Sequence, residues 1–233
     1  MLPPREEAPG FTELGVSAFT TTREAGSYGT QSDEPASQVM ERWYDLADSL
    51  SEFGPRLVTG RQVHGTRIVG HGGGWEGWLR VNGADGHIAQ APGTALAVTV
   101  ADCVPVFIGH PSGVVALLHA GWRGTAARIL PCALELLDQR GIRARETLIH
   151  LGPAICGLCY EVSADVFGRL TGRTATTQRT VDLRDILSQQ ASEAGVRSIS
   201  ASASCTGCNN DRFFSHRARD LGRQLGIIVK TEA

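Results

Sequence analysis

The chain is almost without lysine: Lys230 is the only one, and arginine supplies the rest of the 22 basic residues. Arginine carries a planar fork suited to anions, so the bias leaves many bidentate anion-binding groups available without pointing to any one of them. Excess charge is missing as well. With a formal net charge of -2 and an isoelectric point near 6.4, nothing in the bulk electrostatics favours nucleic acid or an anionic membrane as partner. A small molecule is the expected partner; the oligomeric state leaves no trace. No stretch of about 18 residues is apolar enough to cross a membrane. The opening "MLPPREEAPG" mixes prolines with charges and lacks the apolar centre of a secretory signal. A cytoplasmic location is the expectation, and there the cysteines stay reduced, free for metal binding or catalysis.

What is present is enough for one core. A length of 233 residues with 42% hydrophobic content is read as one domain spanning 1–233. Residues 11–23, "FTELGVSAFTTTR", alternate as a strand, and Val39, Met40, Trp43, Tyr44, Leu46, Ala47 and Leu50 recur at helical spacing. "RLVTGRQVHGTRIVG" alternates again, and "HGGGWEGW" reads as a glycine-rich turn or mobile loop without phosphate-loop spacing. Three apolar runs, "TALAVTVA", "VPVFIGH" and "VVALLHA", are rich in β-branched residues and are expected to form the core sheet. A helix is predicted over 125–139, with Pro131 marking a kink or a later start. Further on, "ETLIHLGPAI", "RSISASAS" and "GRQLGIIVK" read as strands, "SADVFGRL" and "VDLRDILSQQASEAGV" as helices. Without strict βαβ alternation the class is α+β: a mixed β-sheet core flanked by helices in a single layered domain.

Why should a buried strand end in a histidine? His119 closes "VVALLHA", and His64 in "RQVHG" and Cys103 in "VADCVP" stand at comparable strand ends. Two imidazoles and a thiolate suit zinc, and three protein ligands leave a fourth position for water or substrate. The same residues also suit a Cys103 nucleophile activated by His119 or His64. A metal would hold the sulfur and lower its nucleophilicity, so the two readings exclude each other in one state. Two CxxC pairs, Cys156/Cys159 and Cys205/Cys208, lie much farther apart than the ~15–20 residues of a zinc ribbon, so a four-thiolate site is not the expected one. Cys132 reads as a small core residue on its helix.

The ordered segments "QVHG", "ADGHIA", "PGTALAVTVADCVPV", "HAGWRGT", "GPAICGLCYEV", "DLRDILSQQASEAGV" and "CT...RFFSHR" resemble the bacterial laccase-domain family. Its members are also called polyphenol oxidases and peptidoglycan editing factors and are now regarded as purine nucleoside phosphorylases. The resemblance covers nearly the whole chain and implies that His64, Cys103 and His119 bind Zn2+, with Cu2+ as the other candidate. It implies phosphorolysis of adenosine and inosine to free base and ribose 1-phosphate, with methylthioadenosine cleavage and adenosine deamination alongside. The alternatives are a metal-stabilised binding or peptidoglycan-precursor editing protein without turnover and, third, a copper-dependent polyphenol oxidase. Cys159 and Cys205 belong to the family's pattern, whereas Cys156 and Cys208 do not, and "EAGSYGTQSDE" replaces its usual N-terminal segment. Cleaving a glycosidic bond needs a proton donor and charge stabilisation, for which Asp102, Asp85 and His216 are candidates beside Cys103. Arg123, between a predicted strand and helix, is the expected phosphate holder, with an ion pair to Asp102 as the competing role.

Overall fold

The strands sort into two six-stranded sheets because most of them are apolar on both faces. The computed structural model describes residues 1–231. One sheet runs in the order β1 (Arg5–Glu7), β2 (Val16–Thr21), β14 (Gln224–Lys230), β7 (Thr94–Val100), β3 (Arg56–Arg61) and β5 (Gly77–Asn82). The other runs β13 (Ser198–Ala201), β10 (Leu148–Leu151), β8 (Val104–Gly109), β9 (Val115–Ala120), β6 (Gly86–Ala89) and β4 (Ile68–His71). Both sheets mix parallel and antiparallel pairs. A small ribbon pairs β11 (Glu161–Val162) with β12 (Arg179–Thr180).

Helices cover the two outer faces. Helix α1 (Ala36–Leu50) lays Val39, Trp43, Leu46 and Leu50 on the first sheet, against Ala95, Ala97, Leu225 and Ile227. Burial of each large side chain there contributes about 1.5–3 kcal/mol. The second sheet is covered by α3 (Ile129–Asp138) and α5 (Leu183–Glu193), with α2 (Trp122–Ala126) and α4 (Ala164–Thr171) beside them. Between the sheets lie Leu96, Val98 and Val100 from one and Phe107, Val115 and Leu117 from the other. The result is the expected α+β class, a mixed β core flanked by helices.

Several local expectations change. The three apolar runs do not share one sheet: β7 belongs to the first, β8 and β9 to the second. "RLVTGRQVHGTRIVG" likewise gives β3 and β4 in different sheets, with residues 62–67 crossing between them. The stretch before β2 opens with a 3-10 turn at Thr12–Leu14 instead of strand. "HGGGWEGW" is loop only in part, since β4 ends at His71 and Gly77 and Trp78 start β5. The helix expected over 125–139 is two: Arg128 takes a left-handed conformation (φ 62°), which ends α2 and lets α3 begin with Pro131 in its first turn. Proline is tolerated there because first-turn N–H groups have no partner within the helix.

Candidate functional site

Two of the crossings between the sheets, β3 to β4 and β7 to β8, meet the ends of two strands at one place. In the second sheet β8 and β9 pair with Val104 opposite Ala120 and Pro105 opposite His119, so Cys103 and His119 come to the same end. The β6–β9 pairing puts Gly86 opposite Leu118, which brings the preceding Asp85 against His119. Residues 101–103 carry the chain from β7 to β8, and the β3-to-β4 crossing carries His64. His64 and Asp102 both have positive φ, 61° and 80°. A side chain in that region costs about 1–2 kcal/mol, so the turns need support from their surroundings.

Asp85 supplies it for the first turn. Fully buried, it accepts hydrogen bonds from the backbone N–H of Val63 (3.1 Å), His64 (2.8 Å) and Gly65 (2.8 Å), and from His119 Nδ1 (2.8 Å). Burial pushes its pKa up, but the bonds from His119 and the backbone outweigh this and hold it below the usual carboxylate value. Asp102 plays the matching part on the far side. Its Oδ1 accepts from Thr206 Oγ1 (2.6 Å) and its Oδ2 from the backbone N–H of Arg217 (2.7 Å).

With Nδ1 committed to Asp85, His119 turns Nε2 inward. The ligand atoms of His64, Cys103 and His119 all lie within 4.8 Å of one another, with the two rings 4.7 Å apart. Burial opposes ionisation of the Cys103 thiol, yet the charge of His119 and hydrogen bonds from both histidines lower its pKa to about 6. Burial also disfavours His119 as a cation, and the Cys103 charge with the Asp85 bond reverses this, raising it to about 9. Gly121 is required by close approach: a Cβ there would sit 2.9 Å from Cys103 Sγ and 3.0 Å from His64 Cδ2. Two imidazoles and an acidic thiol on such a centre fit a transition-metal ion, with the Asp85 bond fixing the His119 tautomer as an outer-shell carboxylate does.

The group opens onto a cleft of about 540 Å³, lined by His64, Ala101, Asp102, Cys103, Trp122, Arg123, Ile155, Tyr160, Leu183, His216 and Arg217. That size suits a small organic ligand. The Arg123 guanidinium lies over the Trp122 ring at 4.5 Å, and among the described residues it makes no hydrogen bond or ion pair. The ion pair with Asp102 is therefore not formed. Burial raises Tyr160 to about 12, with the Cys103 charge adding to the effect, so it stays a neutral hydroxyl.

The same geometry meets known proteins in sequence. The family described as "Multi-copper polyphenol oxidoreductase laccase" matches residues 13–231. The chain belongs to that family. Its relatives within and around this match include the Streptomyces coelicolor protein named purine nucleoside phosphorylase SCO2081, 32% identical over 94% of this chain and 93% of its own. Another, named adenosine deaminase RL5, comes from an unknown prokaryote and is 31% identical over 91% of each. The crystal structure of YlmD from Geobacillus stearothermophilus superposes with a TM-score of 0.86 at 30% identity, covering 97% of this chain and 94% of that one.

Of the residues singled out from the sequence, Asp102, Cys103, Arg123 and His216 line the cleft together with His64, while His119 stands behind them. Asp85 does not reach the cleft: it is a buried hydrogen-bond hub and no longer a candidate proton donor. Tyr160, Arg217 and Thr206 escaped attention because a lone tyrosine, arginine or threonine carries no spacing signal. The two CxxC pairs, set aside for their separation, are brought together: Cys156, Cys159, Cys205 and Cys208 have sulfurs all within 4.8 Å of one another.

Proposed function

We propose that the chain is a zinc-dependent purine nucleoside phosphorylase, converting adenosine or inosine and phosphate into free base and ribose 1-phosphate. The observation that carries this reading is the convergence of His64, Cys103 and His119 at the wall of a nucleoside-sized cleft that also holds an unpaired arginine. The names of relatives such as SCO2081 supply the substrate class, and that of RL5 adds adenosine deamination as a side reaction. His64, Cys103 and His119 are the residues that would hold zinc; when bound, it supplies Lewis acidity, polarising a substrate oxygen or lowering the pKa of water.

The remaining groups divide the work. Arg123 offers its fork to two phosphate oxygens and is held in place by stacking on Trp122. In the reaction a phosphate oxygen bonds to C1′ of the ribose as the C1′–N9 bond breaks, and the purine nitrogen takes up a proton. His216 on the cleft rim is the candidate donor of that proton. Asp102 has both oxygens engaged by Thr206 and Arg217, so it positions the wall that carries Arg217 and does not donate a proton. Two histidines at one sulfur favour a metal over a Cys103 nucleophile, which needs a single base. The His₂Cys set also suits copper, though among the described residues no methionine lines the cleft to serve as the usual axial ligand of a blue-copper site.

Chromatography of products from adenosine and inosine, with and without phosphate, tests the proposal. Free base with ribose 1-phosphate, formed only with phosphate, is the expected result. Equal base release without phosphate means hydrolysis, and inosine accumulating from adenosine means deamination. No turnover by fully metallated protein would favour a binding or editing role.

A further inference from the structure

We propose that Cys156, Cys159, Cys205 and Cys208 form a second metal site, a tetrathiolate holding a structural zinc ion apart from the His64, Cys103 and His119 group. The sulfur positions carry the assignment. Cys159 and Cys208 are 3.4 Å apart, Cys156 and Cys208 4.0 Å, and all four sulfurs lie within 4.8 Å of one another. Tetrahedral zinc with bonds of about 2.3 Å sets its sulfurs about 3.8 Å apart, inside the spread observed here.

The backbone around Cys205 is arranged for a thiolate. The N–H groups of Cys156 and Cys208 both donate to Cys205 Sγ, at 3.2 and 3.3 Å. Each pair sits on a tight turn: the N–H groups of Cys159 and Tyr160 donate to the Cys156 carbonyl, and that of Asn209 to the Cys205 carbonyl. Two CxxC turns facing each other are the two halves of a closed four-ligand site. Here they come from distant parts of the chain, joined where Ala154 and Cys205 form a parallel bridge just beyond the β10–β13 pairing. With four protein ligands no position is left for substrate, so the role is structural.

What the ion would hold is the far wall of the cleft. Ile155 and Tyr160 flank the first cysteine pair and line the cleft, and Thr206, next to Cys205, grips Asp102. A metal there ties the 152–160 and 202–210 segments into one rigid edge, and loss of that ion alone, as in Cys208→Ser, loosens the edge while leaving His64, Cys103 and His119 in place.

Metal content of the full chain, produced with zinc and desalted, tests this. Wild type is expected to hold two equivalents, Cys208→Ser one, and Cys103→Ala one. Cys208 is the exposed member of the cluster, so its replacement is the change least able to disturb folding. Cobalt(II) added to metal-free Cys103→Ala protein should give intense thiolate-to-metal charge transfer and tetrahedral ligand-field bands, lost when Cys208→Ser is added. Unchanged metal content in Cys208→Ser, a pale octahedral cobalt spectrum in Cys103→Ala, or the mass of disulfides in protein purified under reducing thiol would overturn the proposal. If only the His64, Cys103 and His119 assignment is wrong, Cys103→Ala keeps wild-type metal content while Cys208→Ser still loses one equivalent.

Discussion

Replacing Asp85 by Asn removes a charge while keeping the shape, and this isolates what the carboxylate does. Each of its oxygens accepts two hydrogen bonds: Oδ1 from His64 N and His119 Nδ1, Oδ2 from the N–H groups of Val63 and Gly65. An asparagine has one oxygen, so its NH₂ group must face two N–H donors whichever way it turns. Each buried donor left unpaired costs about 1–3 kcal/mol. Val63 is half exposed and water reaches it, so the lower part of the range applies, about 2–4 kcal/mol in all. For a chain of this length that lowers the melting temperature of the metal-free protein by about 4–16 °C. On the proposed zinc site, loss of the anion behind His119 also weakens metal binding, by about 10–100-fold for an outer-shell partner of this kind. Differential scanning fluorimetry of metal-free protein reads the first effect, and zinc titration against a competing chelator at neutral pH reads the second. An Asp85→Asn protein that melts at the wild-type temperature and binds zinc within threefold of wild type would refute the role given to Asp85.

Arg123→Lys keeps the charge but removes the planar fork, so the phosphate KM should rise about tenfold or more while zinc content stays at the wild-type value; an unchanged phosphate KM returns Arg123 to a structural role. Stability should fall with acidification below pH 6.5. Burial lowers His87 to about 3 and His150 to about 4, so both stay neutral in the fold while the unfolded chain takes up their protons near 6.5. Their contribution is complete above pH 6.5 and is lost as pH falls toward those values, at up to about 1.4 kcal/mol per pH unit each, or about 4 kcal/mol together by pH 5. Urea midpoints at pH 7.5 and 5 measure it. Equal midpoints would contradict the burial of these histidines as neutral groups.

The parts of this protein that could be read from its sequence are those where one residue type carries the information. His64, Cys103 and His119 stood out because metal-ligating side chains at strand ends are chemically conspicuous, and the fold does gather them. The pairing of sheets was not legible for the opposite reason: strands buried on both faces, such as "TALAVTV" and "VPVFIG", lose the alternation that would show which side faces what. The break between α2 and α3 was legible in part: Pro131 signals a kink or a later start, but nothing in the local pattern announces the left-handed conformation at Arg128 that places it. The cysteine pairs failed a test of sequence distance that holds for compact zinc ribbons, yet the parallel β10–β13 pairing makes chain separation irrelevant there.

The passages between the sheets explain where the site lies. A chain passing from one sheet to the other must leave hydrogen-bonded pairing for a few residues, and two of these passages, at 62–67 and 101–103, turn sharply enough to hold His64 and Asp102 at positive φ. Unpaired backbone N–H groups gather at such turns, and a buried carboxylate meets that need best. Asp85 takes three of them at the first passage; at the second, Asp102 reaches outward to Thr206 and to the Arg217 backbone. The aspartates thus make the strained turns tolerable, and the turns present His64 and Cys103 beside His119. Relaxing either turn would move His64, or Cys103 beside Asp102, away from His119.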